Sequence, residues 1–183
     1  MNTPLKIIID SSKEILIVMD TGTQHNFLWK KEYYVKLCRL INQYYKAKII
    51  FIGIKNFESY VQEIQNHLNF KAYSLVGKTT LNELASVLEK IDLLITVDNG
   101  VCYIESSVGL RTIVLRHRAD SSIEFGKHVE TEIIVLHSVP CSPCGNNICP
   151  LDLIECMVGI TPQRVFSEIK YYLSNSFNGF KIV

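Results

Sequence analysis

The sequence predicts an α/β domain built on a mostly parallel sheet with helices on both faces. Three observations predict it. Short, wholly apolar runs such as Ile15 to Met19, Ile49 to Ile52 and Leu93 to Val97 have the pattern of strands buried on both sides. The segments between them carry apolar residues three and four apart, the spacing of one helix face. The 183 residues are enough for one domain with its own core.

Each element follows from local pattern. Ile15 to Met19 is the first strand, and Asp20-Thr21-Gly22-Thr23 ends it with a loop signal. From about Lys30 to Tyr45, residues Tyr34, Leu37, Cys38, Ile41 and Tyr45 mark a helix. Ile49 to Ile52 is a second strand, closed by Gly53, and Phe57 to Leu68 is a helix through Phe57, Val61, Ile64 and Leu68. A short strand near Ala72 to Val76 is broken by Gly77. Thr80-Leu81-Asn82-Glu83 fits a capping box, in which the threonine hydroxyl and the glutamate each satisfy a backbone amide of the other. The helix it opens carries Leu84, Val87, Leu88 and Ile91. Leu93 to Val97 is followed by a helix from about Gly100 to Val108, and then by strands at Thr112 to Leu115 and Glu132 to Leu136. Thr161-Pro162 reads as an N-cap with proline at the first helical position, ahead of Val165, Phe166, Ile169 and Leu173. Residues 1–14 read as an N-terminal segment and 15–183 as the domain.

Composition narrows the function classes. The chain is 48% hydrophobic and 20% charged with a net charge of +1, which gives no basic surplus for nucleic acid. No apolar run approaches the roughly 18 residues of a membrane span. The stretch Met1 to Asp10 lacks a small-residue cleavage site and does not read as a signal peptide. The expected compartment is the reducing cytoplasm, where six cysteines argue for free thiols or metal ligands over disulfides.

In a parallel sheet, ligands sit beyond the carboxyl ends of the strands. That rule points at Asp20 to Asn26, Asp98 to Val101 and Arg116 to Asp120. In Asp98-Asn99-Gly100, a helix N-terminus offers unpaired amides and a partial positive charge to an anion. Asn99 suits the N-cap, Gly100 admits close approach, and Asp98 can accept from sugar hydroxyls. The same turn also reads as a cap with no ligand. Thr21-Gly22-Thr23 can line a phosphate or simply connect strand to helix. Arg116-His117-Arg118 can neutralise a diphosphate or lie solvated.

Four thiols, Cys141, Cys144, Cys149 and Cys156, fall within one short segment. C-x2-C is the usual first half of a tetrahedral zinc or iron site, although the second pair is spaced more loosely. Reduced structural cysteines and an inducible disulfide are the other readings. Cys38 and Cys102 read as packing residues. His25, His67, His117, His128 and His137 show no metal-ligand spacing, and Glu105 reads as an exposed helical residue.

With these residues in place, the chain resembles glycosyltransferase family 9, the ADP-heptose:lipopolysaccharide heptosyltransferases and their relatives. Four stretches carry the resemblance, from about Ile15 to Leu173. Ile15 to Trp29 is similar to the first strand and tryptophan-containing phosphate loop of the family's C-terminal domain. Leu75 to Leu84 is similar to "aGktsl.el", Asp92 to Gly100 to "ad.vi..DSG", and Cys141 to Val165 to the four-cysteine ending. The resemblance implies a Rossmann-like domain equivalent to the C-terminal half of a B-type glycosyltransferase. It implies a nucleotide-sugar donor such as ADP-heptose, held by Thr21, Gly22, Thr23, Asp98, Asn99 and Gly100. A structural zinc or iron at the four cysteines remains the expectation of their spacing, and no catalytic metal is expected. The partner would be a separate N-terminal-type acceptor domain or a second copy of the chain, and the protein would be cytoplasmic or peripheral to the inner membrane. The acceptor would be lipopolysaccharide or another glycan or protein.

Some positions depart from the family pattern. Val101, Tyr103 and Glu105 replace the usual proline, histidine and alanine, and Phe27 replaces a lysine. Leu115-Arg116-His117-Arg118 replaces Phe-Gly-Pro-Thr, so Arg116 or Arg118 is expected to supply the missing charge. These losses leave two other readings open, an inactive remnant or binding module and a metal-binding regulatory module.

Overall fold

The computed structural model describes residues 15–21, 28–116, 131–141, 149–151 and 154–176. Six strands form one parallel sheet: β1 (Ile15–Asp20), β2 (Ala47–Ile52), β3 (Tyr73–Ser74), β4 (Leu93–Val97), β5 (Thr112–Arg116) and β6 (Glu132–Leu136). Their order across the sheet is β3-β2-β1-β4-β5-β6, and every pairing is parallel. The helices are α1 (Lys31–Tyr44), α2 (Glu58–Asn66), α3 (Leu81–Leu88), α4 (Val101–Val108), α5 (Glu155–Val158) and α6 (Pro162–Ser176).

Strand side chains alternate between two apolar layers, because successive residues of a strand point to opposite faces. On one face Ile17, Met19, Ile49, Phe51, Ile95 and Ile113 meet Tyr34, Leu37 and Ile41 of α1, Val61 and Ile64 of α2, and Val165 and Ile169 of α6. On the other, Val18, Ile50, Ile52 and Leu94 meet Leu84, Val87 and Leu88 of α3, with Val101 and Ile104 of α4 packed against them. Both faces are covered, so β4 and β5 are buried along their whole length.

The local signals hold where the pattern was longest. The capping box of α3 forms: Thr80 Oγ1 accepts from Glu83 N at 3.3 Å, and Thr80 N donates to Glu83 Oε2 at 2.9 Å. Thr161 caps α6 by accepting from Arg164 N at 3.4 Å. Two differences concern helix ends. A 3₁₀ turn, Lys55–Phe57, precedes α2, and α2 stops at Asn66 because His67 and Leu68 donate to the carbonyls three residues back, tightening the last turn. The short α5 has no counterpart in the sequence pattern, and β3 is shorter than the expected Ala72 to Val76.

Trp29 ties the loop after β1 to the turn that precedes α6. Its ring is fully buried, packs edge-on to Tyr33 and Tyr34 at 5.6 and 5.0 Å, and donates from Nε1 to Ile160 O at 2.7 Å. Its own carbonyl accepts from the Tyr60 hydroxyl.

Candidate functional site

The strand order reverses between β1 and β4. The chain winds outward from β1 to β3, then returns to lay β4 on the other side of β1. Crevices form beyond the carboxyl ends of the strands at such a point.

Asp20, the last residue of β1, is 1% exposed. Its Oδ2 accepts from Thr96 Oγ1 at 3.0 Å and from the Asn99 side-chain amide at 2.5 Å. Its backbone carbonyl accepts from the Tyr34 hydroxyl at 3.1 Å, and burial holds that phenol well above its ordinary range. Because Asn99 gives its amide nitrogen to Asp20, its oxygen faces the other way and accepts from Val101 N at 2.8 Å, which caps α4. Gly100 follows at the start of the helix. Its backbone is not left-handed, and a Cβ built on it would meet no atom within 4 Å. The chain's own geometry therefore does not require glycine there, and the vacant space belongs to the cleft.

That cleft holds about 560 Å³. Ile52, Ile54, Leu81 and Ile104 supply apolar wall, and Asp20, Lys55, Thr79 and Asn99 supply polar positions. Two glycines shape its far side. Gly53 has φ +150°, and a Cβ there would lie 2.7 Å from Thr21 Oγ1. Gly77 has φ +65°, a conformation that glycine adopts without strain, and its amide donates to Gly53 O at 2.9 Å. A second groove of about 800 Å³ lies between α1 and α2, but no strand end enters its wall and the Lys31–Glu63 ion pair spans it.

Asp98 turns to the opposite neighbour. Its Oδ2 lies 3.2 Å from Arg116 Nε, with side chains 9% and 11% exposed respectively. The Nε–H is not aligned on the carboxylate, so charge rather than a hydrogen bond holds the pair. Asp98 Oδ1 is buried and has no hydrogen-bond partner among the described residues.

The structure thus brings Asp98, Asn99, Gly100 and Arg116 to one end of the sheet. Thr21 is fully buried and spends its hydroxyl on Ile52 O at 3.4 Å, inside the fold. Gly22, Thr23 and Arg118 lie outside the described residues, as do Phe27, His25, His117, His128 and the side chains of Tyr103 and Glu105. Of the four clustered cysteines, Cys144 lies outside as well. The Cys156 thiol is pushed up by burial. Among the described residues no three His, Cys, Asp or Glu side chains gather into a set able to hold a metal ion. With Cys144 outside the described residues, the expected four-thiol set for zinc or iron is not complete among them. Cys38 and Cys102 are buried, as packing residues should be. Among the described residues no helix is long and apolar enough to cross a membrane.

Two parts of the site were not singled out in the sequence: Asp20 as the anchor of Asn99, and the Gly53–Lys55 and Gly77–Thr80 loops as cleft walls. Gly53, directly after β2, and Gly77, three residues after β3, were the available signal.

A doubly wound parallel sheet in this order, with a cleft at its reversal, defines the class of α/β proteins that bind ligands at strand carboxyl ends. Within that class, residues 3–155 match the profile of glycosyltransferase family 9 (heptosyltransferase), and the chain belongs to that family. It is 25% identical over 150 residues to lipooligosaccharide heptosyltransferase 2 of Campylobacter jejuni, covering 81% of this chain and 47% of the relative. Its fold superposes on E. coli ADP-heptose lps heptosyltransferase II with a TM-score of 0.72 at 17% identity, covering 96% of this chain and 53% of the other. The family 9 glycosyl transferase of Veillonella parvula gives 0.77 at 19% identity, covering 94% and 51%. The chain spans about half the length of the curated Campylobacter relative.

Proposed function

We propose that the chain is the donor-binding part of a heptosyltransferase-like enzyme and holds a nucleotide-diphosphate sugar in the cleft between β1 and β4. The observation that carries this reading is the start of α4. Asn99 is locked by Asp20, and the open space at Gly100 lets an anionic group reach the helix amides. A helix N-terminus favours a diphosphate through its unpaired N–H groups and its dipole. The apolar wall of Ile54, Leu81 and Ile104 suits the flat face of a base. The E. coli relative is named for ADP-heptose, which supports an ADP-sugar as the donor.

In this reading Asp98 receives a hydroxyl of the donor sugar on its unpartnered Oδ1, while Arg116, 3.2 Å from its Oδ2, adds positive charge near the leaving group. Thr21 acts from behind, filling the space that Gly53 leaves. Transfer is an inverting displacement. The acceptor hydroxyl oxygen forms a bond to the anomeric carbon, the bond from that carbon to the diphosphate breaks, and the diphosphate departs with the electron pair. The α4 amides stabilise that departing charge. The acceptor proton goes to a carboxylate supplied by an acceptor-side domain that completes the enzyme, on this protein or a partner. The acceptor is lipopolysaccharide core or another glycan.

Isothermal titration with ADP and ADP-heptose tests the reading. Saturable binding of both at one site per chain is expected. Absence of binding to any nucleotide or nucleotide-sugar would overturn it.

A further inference from the structure

We propose that Lys55 reads the nucleoside end of the bound ligand, donating to a lone-pair oxygen on the ribose or the base. The inference rests on the donor-site reading above. Among the described residues that line the cleft, Lys55 is the only cation. It follows Ile54 at the carboxyl end of β2 and opens the 3₁₀ turn Lys55–Phe57.

Gly77 fixes the direction of its side chain. A Cβ at Gly77 would lie 2.9 Å from both Lys55 Cα and Cβ and 3.2 Å from Cγ, so the lysine stem rests against the loop that follows β3. Lys55 is therefore held toward β3, away from β4. From β4 through β1 to β2 is two strand spacings, about 10 Å. A diphosphate seated on the α4 amides lies at the β4 side. The part of the ligand that reaches Lys55 is the nucleoside, whose ring lies along the exposed apolar surfaces of Ile54 and Leu81. An ammonium group only donates, so its partner must be an oxygen or nitrogen lone pair and not a proton donor. Among the described residues no side chain pairs with that ammonium, which leaves it for a ligand.

The test is Lys55→Met, which keeps the stem over Gly77 and removes the charge. Binding of ADP, 2′-deoxy-ADP and pyrophosphate is measured by isothermal titration for the wild type and the variant. ADP should weaken about tenfold, pyrophosphate should bind as before, and the ligand-free melting temperature should not move. If the wild type discriminates against 2′-deoxy-ADP and the variant does not, the partner is the ribose. If both ligands weaken equally in the variant, it is the base. Unchanged ADP affinity overturns the role of Lys55 and leaves the donor site intact. An equal loss for pyrophosphate also overturns it, by making Lys55 a phosphate cation. A wild type that binds none of the three overturns the donor site and this inference together.

Discussion

Asn99 donates its side-chain amide to the buried carboxylate of Asp20 and, with its other end, caps α4 by accepting from Val101 N. One side chain thus couples the end of β1 to the start of α4. The coupling fixes which atom of Asn99 meets the helix, and therefore how the amides behind Gly100 face the cleft.

Removing the anchor should cost stability and binding together. Asp20→Ala leaves the Asn99 amide without its acceptor beside a position that is 1% exposed to water, while Thr96 Oγ1 keeps the Val97 carbonyl at 2.8 Å. Unpaired buried polar groups cost about 1–3 kcal/mol. Urea unfolding should show a loss of that size with an unchanged m-value. Asn99→Ala should lose about 1 kcal/mol, the usual worth of an N-cap.

Trp29 predicts a separable effect on the other side of the sheet. Trp29→Phe keeps an aromatic ring against Tyr34 but deletes the bond from Nε1 to Ile160 O. Ile160 is fully buried, so its carbonyl loses a partner that water does not readily replace. A loss of about 1–3 kcal/mol is expected in chemical denaturation, because the variant also removes part of a well-packed ring. This site lies on the α1–α6 face, and the nucleotide affinity of the folded variant should fall less than that of Asp20→Ala.

The capping box of α3 makes stability depend on pH in a definite direction. Glu83 is held below its ordinary value of 4.5, chiefly by the Thr80 backbone amide and then by the Thr80 hydroxyl. A carboxylate with a depressed folded value stabilises the fold above its unfolded value and loses that contribution as pH falls through the folded one. Glu83→Gln should therefore melt lower than the wild type at neutral pH, and the gap should close as the pH drops below 4.5. A gap that stays constant down to pH 3 would contradict the assignment.

Most of the fold was legible because its strands are apolar on both faces. Leu93–Val97 and Glu132–Leu136 match their sequence patterns residue for residue, and the Thr80–Glu83 box forms as its spacing predicts. The short elements were not, because a two-residue strand such as Tyr73–Ser74 and a single-turn helix such as Glu155–Val158 carry too few residues to show a period. The site was legible in part. Asn99 as N-cap and Gly100 as an open position follow from residue type alone. The pairing of Asp98 with Arg116, and of Asp20 with Asn99, joins strand ends far apart in the chain, and no local pattern encodes which ends become neighbours. Thr21 shows the reverse: a hydroxyl in a glycine-containing loop looks available, yet it follows a buried strand and donates inward to Ile52 O.

The central claim is that the space at Gly100 is where the ligand's diphosphate meets α4. The most direct test is thermal melting of the wild type and Gly100→Val, each with and without ADP. A side chain at this position meets nothing in the fold within 4 Å at its Cβ, so the ligand-free variant should melt within a degree or two of the wild type. ADP at a hundredfold excess over its dissociation constant should stabilise the wild type by about 2.7 kcal/mol, and it should leave Gly100→Val unmoved. Equal stabilisation of both proteins by ADP, or of neither, would contradict the account.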